Sequence, residues 1–152
     1  MKKIPRNNIQ HLTCGIFNSN SWDRPKAYRV YSDKIESDES GNYWLQRFSK
    51  NGYQFKGETE HLSLDDIKQI GEILNEIPSK CFDLKLPSPN TPGNKDEYEI
   101  YIQIELNDGS STQFKIDEYD QRDLKVDSDI LYFKDRVKET IKLIKEKADN
   151  TM

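Results

Sequence analysis

The alternation of apolar and polar side chains is clearest between residues 96 and 117. One parity of its first part is apolar and comprises Tyr98, Ile100, Ile102, Ile104 and Leu106. The other parity is more polar and comprises Glu99, Tyr101, Gln103 and Glu105. Because successive side chains of a strand point to opposite faces, this run predicts a strand with one apolar and one hydrated face. The segment Asn107-Asp108-Gly109 tolerates positive φ and predicts a tight turn, after which Phe114 and Ile116 continue the apolar face on a returning strand.

Three aromatic-rich runs predict further strands in the first half of the chain. They span residues 26–36, 43–49 and 53–61. Polar turn sequences separate them, at residues 37–42 and at Asn51-Gly52. Short strands joined by such turns are typical of an antiparallel meander.

Helical spacing replaces the alternation after residue 62. The apolar residues that repeat at this spacing are Ile67, Ile70, Leu74 and Ile77. Ser63 is a good N-cap residue, and Pro78 ends the pattern because proline lacks the N–H that a helix needs. The run therefore predicts a helix over residues 63–77.

A second helical stripe lies near the end of the sequence and comprises Ile130, Phe133, Val137, Ile141 and Ile144. Asp127, Ser128 and Asp129 precede it as candidate caps. Lysines are frequent in its last turns, where positive charge complements the negative pole of a helix. We expect a long helix from this point to about residue 148.

The order of these elements predicts an α+β fold. Residues 81–86 alternate and predict one more short strand, and the proline-rich residues 87–95 predict a loop. The expected order is βββαβββα, with an antiparallel sheet of about five to six strands and two helices packed on one face. Residues 1–25 show no period and predict a poorly ordered or loosely docked arm. A single domain over residues 26–148 and a frayed tail over residues 149–152 complete the expectation.

Composition narrows the class of protein. The chain has 152 residues, of which 34% are hydrophobic and 33% are charged, with a net charge of −4. This length fits one domain with a modest core. Nucleic-acid binders usually carry a basic field, which is missing here, so we expect no nucleic-acid partner. No apolar run approaches the roughly 20 residues that span a bilayer, and none follows the basic start, so we expect a cytoplasmic protein without a membrane partner.

Metal and thiol chemistry have little support in the sequence. Two residues separate His11 from Cys14, but His61 and Cys81 lie far along the chain. Structural zinc sites usually combine two close pairs, so we expect no metal site. In a cytoplasmic chain, two free and partly buried thiols are favoured over a disulfide between Cys14 and Cys81.

Catalytic motifs are also missing. The sequence has neither the Gly-x-Ser-x-Gly elbow nor a phosphate-binding loop, so we expect no catalytic residue and no cofactor. His61 lies just before the first predicted helix, and a small enzyme that uses His61 with nearby carboxylates is an alternative hypothesis.

Two groups of residues are candidate partner-binding surfaces. The aromatic group is Tyr43, Trp44 and Tyr53, which either anchors a partner or covers the core. The acidic group is Asp117, Glu118, Asp120 and Asp123. Clustered negative charge raises the association rate of a basic partner, so we expect the partner to be a protein and to be basic.

The layout of residues 26–140 resembles a known group of small proteins. The shared features are a strand before a Gly/Asn turn, a helix start at residues 62–66, a proline-rich loop with Asp96, the alternating strand at residues 98–102, and an Asp-containing run before the last helix. In these features the chain is similar to emfourin-like bacterial proteins, which inhibit thermolysin-type metalloproteases. Its arm departs from that pattern, so no inhibitory residue is carried over. In size and acidity it also resembles immunity proteins that neutralise bacterial toxins.

These observations lead to one hypothesis about function. We expect a non-enzymatic protein, a monomer or homodimer, that inhibits or neutralises a partner protein. An immunity protein against a bacterial toxin is the leading version, and a protease inhibitor of the emfourin-like kind is the alternative implied by the resemblance.

Overall fold

The computed structural model describes residues 2–17, 26–39, 55, 57–83, 98–117 and 128–150. Six strands form one sheet, namely β1 (Ile9–Phe17), β2 (Ala27–Val30), β3 (Ile35–Asp38), β4 (Glu58–Thr59), β5 (Glu99–Leu106) and β6 (Ser111–Asp117). The helices are α1 (Leu64–Gly71) and α2 (Ser128–Asn150), with short 3-10 helices at Arg6–Asn8, Glu72–Asn75 and Ser79–Phe82. No helix within the described residues is long and apolar enough to cross a membrane.

The sheet is antiparallel, with strand order β4-β3-β2-β1-β5-β6. The predicted α+β class is therefore confirmed, and the order of elements matches roughly. Residues Leu12, Val30 and Ile104 lie in one row across the three central strands. Their side chains join those of both helices in one core. Antiparallel sheets commonly bury one face in this way, and we call this side the apolar face.

The predicted hairpin is confirmed as β5 and β6. Its register pairs Ile100 with Ile116 and Ile104 with Thr112, so the apolar parities of the two strands coincide. Gly109 has φ of 90° in the turn, a conformation that disfavours residues with a Cβ. The Ser110 N–H donates to Asp108 Oδ1 over 2.8 Å, which closes the turn locally.

Both predicted helices are confirmed. Ser63 Oγ accepts a hydrogen bond from the Asp66 N–H over 3.1 Å and caps α1, which continues into the 3-10 helix Glu72–Asn75 before Pro78. The predicted stripe of α2 is almost fully buried and comprises Ile130, Phe133, Val137, Ile141 and Ile144. The helical period alone therefore identified which side of each helix meets the sheet.

The prediction of a loosely docked arm is wrong for the part that forms β1. Residues 9–17 pair with β2 on one side and with β5 on the other, so they occupy the middle of the sheet. Leu12 and Cys14 are fully buried against the helices. The alternation of Leu12, Cys14 and Ile16 with Thr13 and Gly15 covers only five residues, and the cysteine and the glycine weaken its hydrophobic contrast. The polar side of β1 is buried through hydrogen bonds with side chains of the neighbouring strands, such as that from Arg29 to Thr13, which a hydrophobicity pattern does not reveal.

Two other strand predictions need correction. Residues 26–36 were expected as one strand, but the Tyr31 N–H donates to the Lys34 carbonyl over 2.9 Å, and the turn divides the run into β2 and β3. The predicted strand at residues 81–86 begins instead within the 3-10 helix Ser79–Phe82, since Pro78 sets an extended entry to a tight turn. Within the predicted strand at residues 53–61, only Glu58–Thr59 is a strand, and residues 43–49 lie outside the described residues.

Candidate functional site

The side of the sheet opposite the helices is built from charged and hydrogen-bonding side chains, and we call it the polar face. Its strand residues include His11, Thr13, Arg29, Glu36, Asp38, Glu99, Tyr101, Gln103, Glu105, Lys115 and Asp117. The expected hydration of this face is wrong for part of it, because Thr13 on the middle strand is fully buried, and Glu99 and Lys115 near one end are only 6% and 4% exposed. Buried polar groups require partners, so the contacts on this face decide what it can do.

His11 and Glu105 form the first contact on the polar face. They are direct neighbours on β1 and β5, and the His11 Nε2 atom lies 2.7 Å from Glu105 Oε2. Burial lowers the pKa of His11 to about 4, Arg29 lowers it further, and Glu105 and Glu36 oppose this shift without cancelling it. His11 is therefore neutral near pH 7, and its Nε2–H donates to the carboxylate.

This arrangement leaves one imidazole nitrogen without a partner. The Nδ1 atom of His11 is buried and has no hydrogen-bond partner among the described residues. The ring of Tyr31 lies edge-on to the imidazole, with the two centroids 5.3 Å apart. In the neutral tautomer, Nδ1 is a lone-pair acceptor that is shielded from solvent.

Arg29 occupies the next row of the polar face. Its Nε–H donates to Thr13 Oγ1 over 2.8 Å, and its guanidinium carbon lies 4.3 Å from the centroid of the Phe55 ring. A hydrogen bond at one edge and an aromatic ring at one face hold the guanidinium in a single orientation. The positive charge faces Glu36, the residue opposite Arg29 on β3.

The far end of the polar face is acidic. Lys115 Nζ lies 2.8 Å from Glu99 Oε2 in a buried ion pair, and Asp117 lies opposite Glu99 on the edge strand. The pKa of Tyr101 is raised by burial and also by the negative charges of Glu99 and Asp117. The two carboxylates of Glu99 and Asp117 and the single ammonium group of Lys115 leave a net negative charge at this end of the sheet.

The predicted partner-binding residues fall into two sets. Asp117 is half-buried at the last position of β6, beside Glu99. The other predicted residues lie outside the described part of the chain and are Tyr43, Trp44, Tyr53, Glu118, Asp120 and Asp123. The structure therefore assigns the start of the acidic group to the acidic end of the polar face.

The histidine that contacts a carboxylate is not the one that the sequence suggested. His61, the candidate base, is exposed in the segment before α1. The histidine that contacts a carboxylate is His11, whose partner Glu105 is 94 positions away in the chain. Sequence reasoning missed this pair because only the register of β1 against β5 brings the two residues together.

The alternation of side chains along β1 places its two candidate metal ligands on opposite faces of the sheet. His11 and Cys14 are three positions apart on one strand, so their side chains point to opposite faces and cannot bind the same metal ion. Among the described residues, no group of three or more potential metal ligands comes together. Cys14 and Cys81 are both free and buried, and burial raises the pKa of each thiol to about 12. Neither thiol is a reactive thiolate near neutral pH.

Comparisons of this chain with protein families, with curated proteins and with solved structures found no match.

Proposed function

We propose that the protein is a non-enzymatic binding protein that neutralises a partner protein, and that it does so as an immunity protein against a bacterial toxin. The observation that carries the proposal is the acidic end of the polar face, where Asp117 of the edge strand lies directly opposite Glu99. A negative potential at a sheet edge attracts a basic protein surface over several ångströms of solvent.

The chain extends this charge beyond the sheet. Asp117 is the last residue of β6, and the sequence that follows it carries Glu118, Asp120 and Asp123. The acidic end of the polar face and the acidic connector are therefore continuous in sequence. Complementary charge of this kind acts mainly on the association rate of a complex and on its dependence on salt.

The His11–Glu105 pair adds no competing function to the proposal. A general base must reach the proton that it removes, and the Nδ1 atom of His11 is buried away from solvent. The exposed His61 is not within ion-pairing distance of a carboxylate of the described residues. Partner binding therefore remains better supported than catalysis.

Kinetics with the partner test the acidic surface directly. The toxin candidate is the product of the reading frame beside this one, and co-expression should restore growth of cells that produce it. In the triple variant Asp117→Lys/Asp120→Lys/Asp123→Lys, the association rate should fall about tenfold or more at low salt, and its salt dependence should weaken. An unchanged rate and salt response would overturn the role of the acidic surface.

A matched control separates this surface from net charge. The triple variant Asp33→Lys/Asp83→Lys/Glu146→Lys makes the same change in charge at exposed positions elsewhere. It should retain most of the association rate. A thermolysin-type metalloprotease, tested for inhibition in parallel, distinguishes the emfourin-like alternative, since inhibition of that enzyme without rescue from the toxin would favour a protease inhibitor.

A further inference from the structure

A groove lies between α2 and the end of β1, on the opposite side of the sheet from the polar face. Its volume is about 570 Å³. Ile16, which is half-buried, and Ile141, which is 1% exposed, contribute apolar atoms to its lining. Sites for small molecules are commonly concave, partly apolar and of this volume.

The charged side chains of the groove differ in whether they have partners. Glu139 forms an ion pair with Arg136, and the Oδ1 atom of Asp135 lies 3.7 Å from Lys134 Nζ. Neither Arg136 nor Lys134 lines the groove. Lys142 and Lys145 also line it. Both are exposed, and neither forms an ion pair with any described residue.

Lys138 also lines the groove, so three cations face two anions among its lining residues. The two acids have cations beside them, whereas the charges of Lys142 and Lys145 are uncompensated within the described residues. These lysines are three positions apart and lie on the same side of α2, so one anionic group can reach both. The apolar atoms of Ile16 and Ile141 lie in the same groove.

We propose that this groove binds an amphiphilic carboxylate, a small molecule with one carboxylate and an unbranched apolar body. The carboxylate oxygens accept hydrogen bonds from the ammonium groups of Lys142 and Lys145, and the apolar body contacts Ile16 and the alkyl stems of these lysines, above the buried Ile141. This site is separate from the acidic end of the polar face, so the inference goes beyond the proposed function and does not depend on it.

Titration with decanoate below its micelle concentration tests the proposal. Amide shifts in a 15N-labelled protein should change in a saturable way and should be largest around Ile16, Ile141, Lys142 and Lys145. Acetate, which has the charge without the apolar body, and decanol, which has the apolar body without the charge, should each bind much more weakly. The absence of saturable shifts with decanoate, or shifts centred elsewhere, would overturn the proposal.

Charge variants assign the site. Lys142→Glu/Lys145→Glu should weaken decanoate binding about tenfold or more, since two favourable ion pairs become two repulsions. The matched control Lys2→Glu/Lys68→Glu changes net charge equally at exposed positions away from the groove and should bind as the wild type does. If the glutamate pair unfolds the helix, Lys142→Gln/Lys145→Gln retains helix propensity and should still weaken binding. Wild-type affinity in a folded groove variant would contradict the proposal.

Discussion

The two faces of strand β1 are equally hidden from water but use different chemistry. Leu12 and Cys14 on the apolar face are fully buried, and His11 and Thr13 on the polar face are 4% and 0% exposed. The apolar face is covered by helices whose side chains need only the right shape. The polar face is covered by groups that must each find a partner, through pairs such as His11–Glu105 and Arg29–Thr13. Exclusion of water is thus no measure of hydrophobicity in this fold.

The comparison implies two modes of failure. On the apolar face, a truncated side chain leaves a cavity, and the loss grows with the volume removed. On the polar face, a substitution of similar volume leaves a buried charge or donor unsatisfied, and the loss depends on that remaining group.

The largest expected effect tests the apolar face. Phe133 of α2 is fully buried in the core, so Phe133→Ala should lower the free energy of unfolding by about 3–5 kcal/mol. Its neighbour Tyr132 is 54% exposed, and Tyr132→Ala should change stability by only about 0.5 kcal/mol. Urea denaturation of both variants measures the difference, and equal losses would show that α2 does not bury the predicted stripe.

A buried ion pair of the polar face should give a loss in the free energy of unfolding of similar size. Lys115→Met keeps the side-chain volume but strands the buried Glu99 carboxylate, and it should cost about 3 kcal/mol. The half-exposed pair of Lys80 and Asp129 provides a control, and Lys80→Met should cost no more than about 1 kcal/mol. The double variant Glu99→Gln/Lys115→Met should recover part of the lost stability. A double variant that is less stable than Lys115→Met would contradict this account.

The pH dependence of stability tests His11. Its pKa is about 4 in the folded protein and 6.5 in the unfolded chain. Between these values the unfolded chain binds more protons, so the contribution of His11 is complete above pH 6.5 and is lost as the pH falls towards 4. The loss should be about 3 kcal/mol, measured as the difference between wild type and His11→Gln in urea denaturation at each pH.

His61, which is exposed, provides the control for the pH dependence of stability. His61→Gln should leave the slope between pH 6.5 and 4 unchanged, because His61 lies in solvent. A slope that persists in His11→Gln but disappears in His61→Gln would exclude His11 as its source.

The smallest expected effect isolates one hydrogen bond. Thr13→Val keeps the shape of the side chain but removes the acceptor for Arg29 Nε, so it should cost about 1 kcal/mol. Thr13→Ser retains the hydroxyl and should cost less in the same denaturation assay. If the serine variant were the less stable of the two, the methyl group and not the hydroxyl would be the important feature of Thr13.

Periodicity predicted the elements whose stabilising contacts are local. The hairpin of β5 and β6 depends on alternation and on the turn around Gly109, and the helices depend on an apolar stripe with Ser63 as a cap. Each of these signals acts within a few residues, so it is visible in the sequence. The same reasoning failed for β1, where the residues that make the strand stable are contributed by β2 and β5.

The candidate sites show the same division more strongly. Asp117 could be selected from sequence because acidic residues cluster around it, although its neighbour Glu99 emerged only from the register of the hairpin. Neither the contact of His11 with Glu105 nor the groove beside Ile16 has a local signal. Each one joins segments that are more than 90 residues apart in the chain.

By itself, the sequence determined the α+β class, the hairpin and the buried sides of both helices. The tertiary structure alone showed that residues 9–17 form a middle strand and that polar and charged side chains are paired on the polar face of the sheet. The physical reason is the range of the forces involved. Turn chemistry and side-chain period act along neighbouring residues, whereas the choice of partner for a polar side chain depends on strand register, which forms only when the whole sheet assembles.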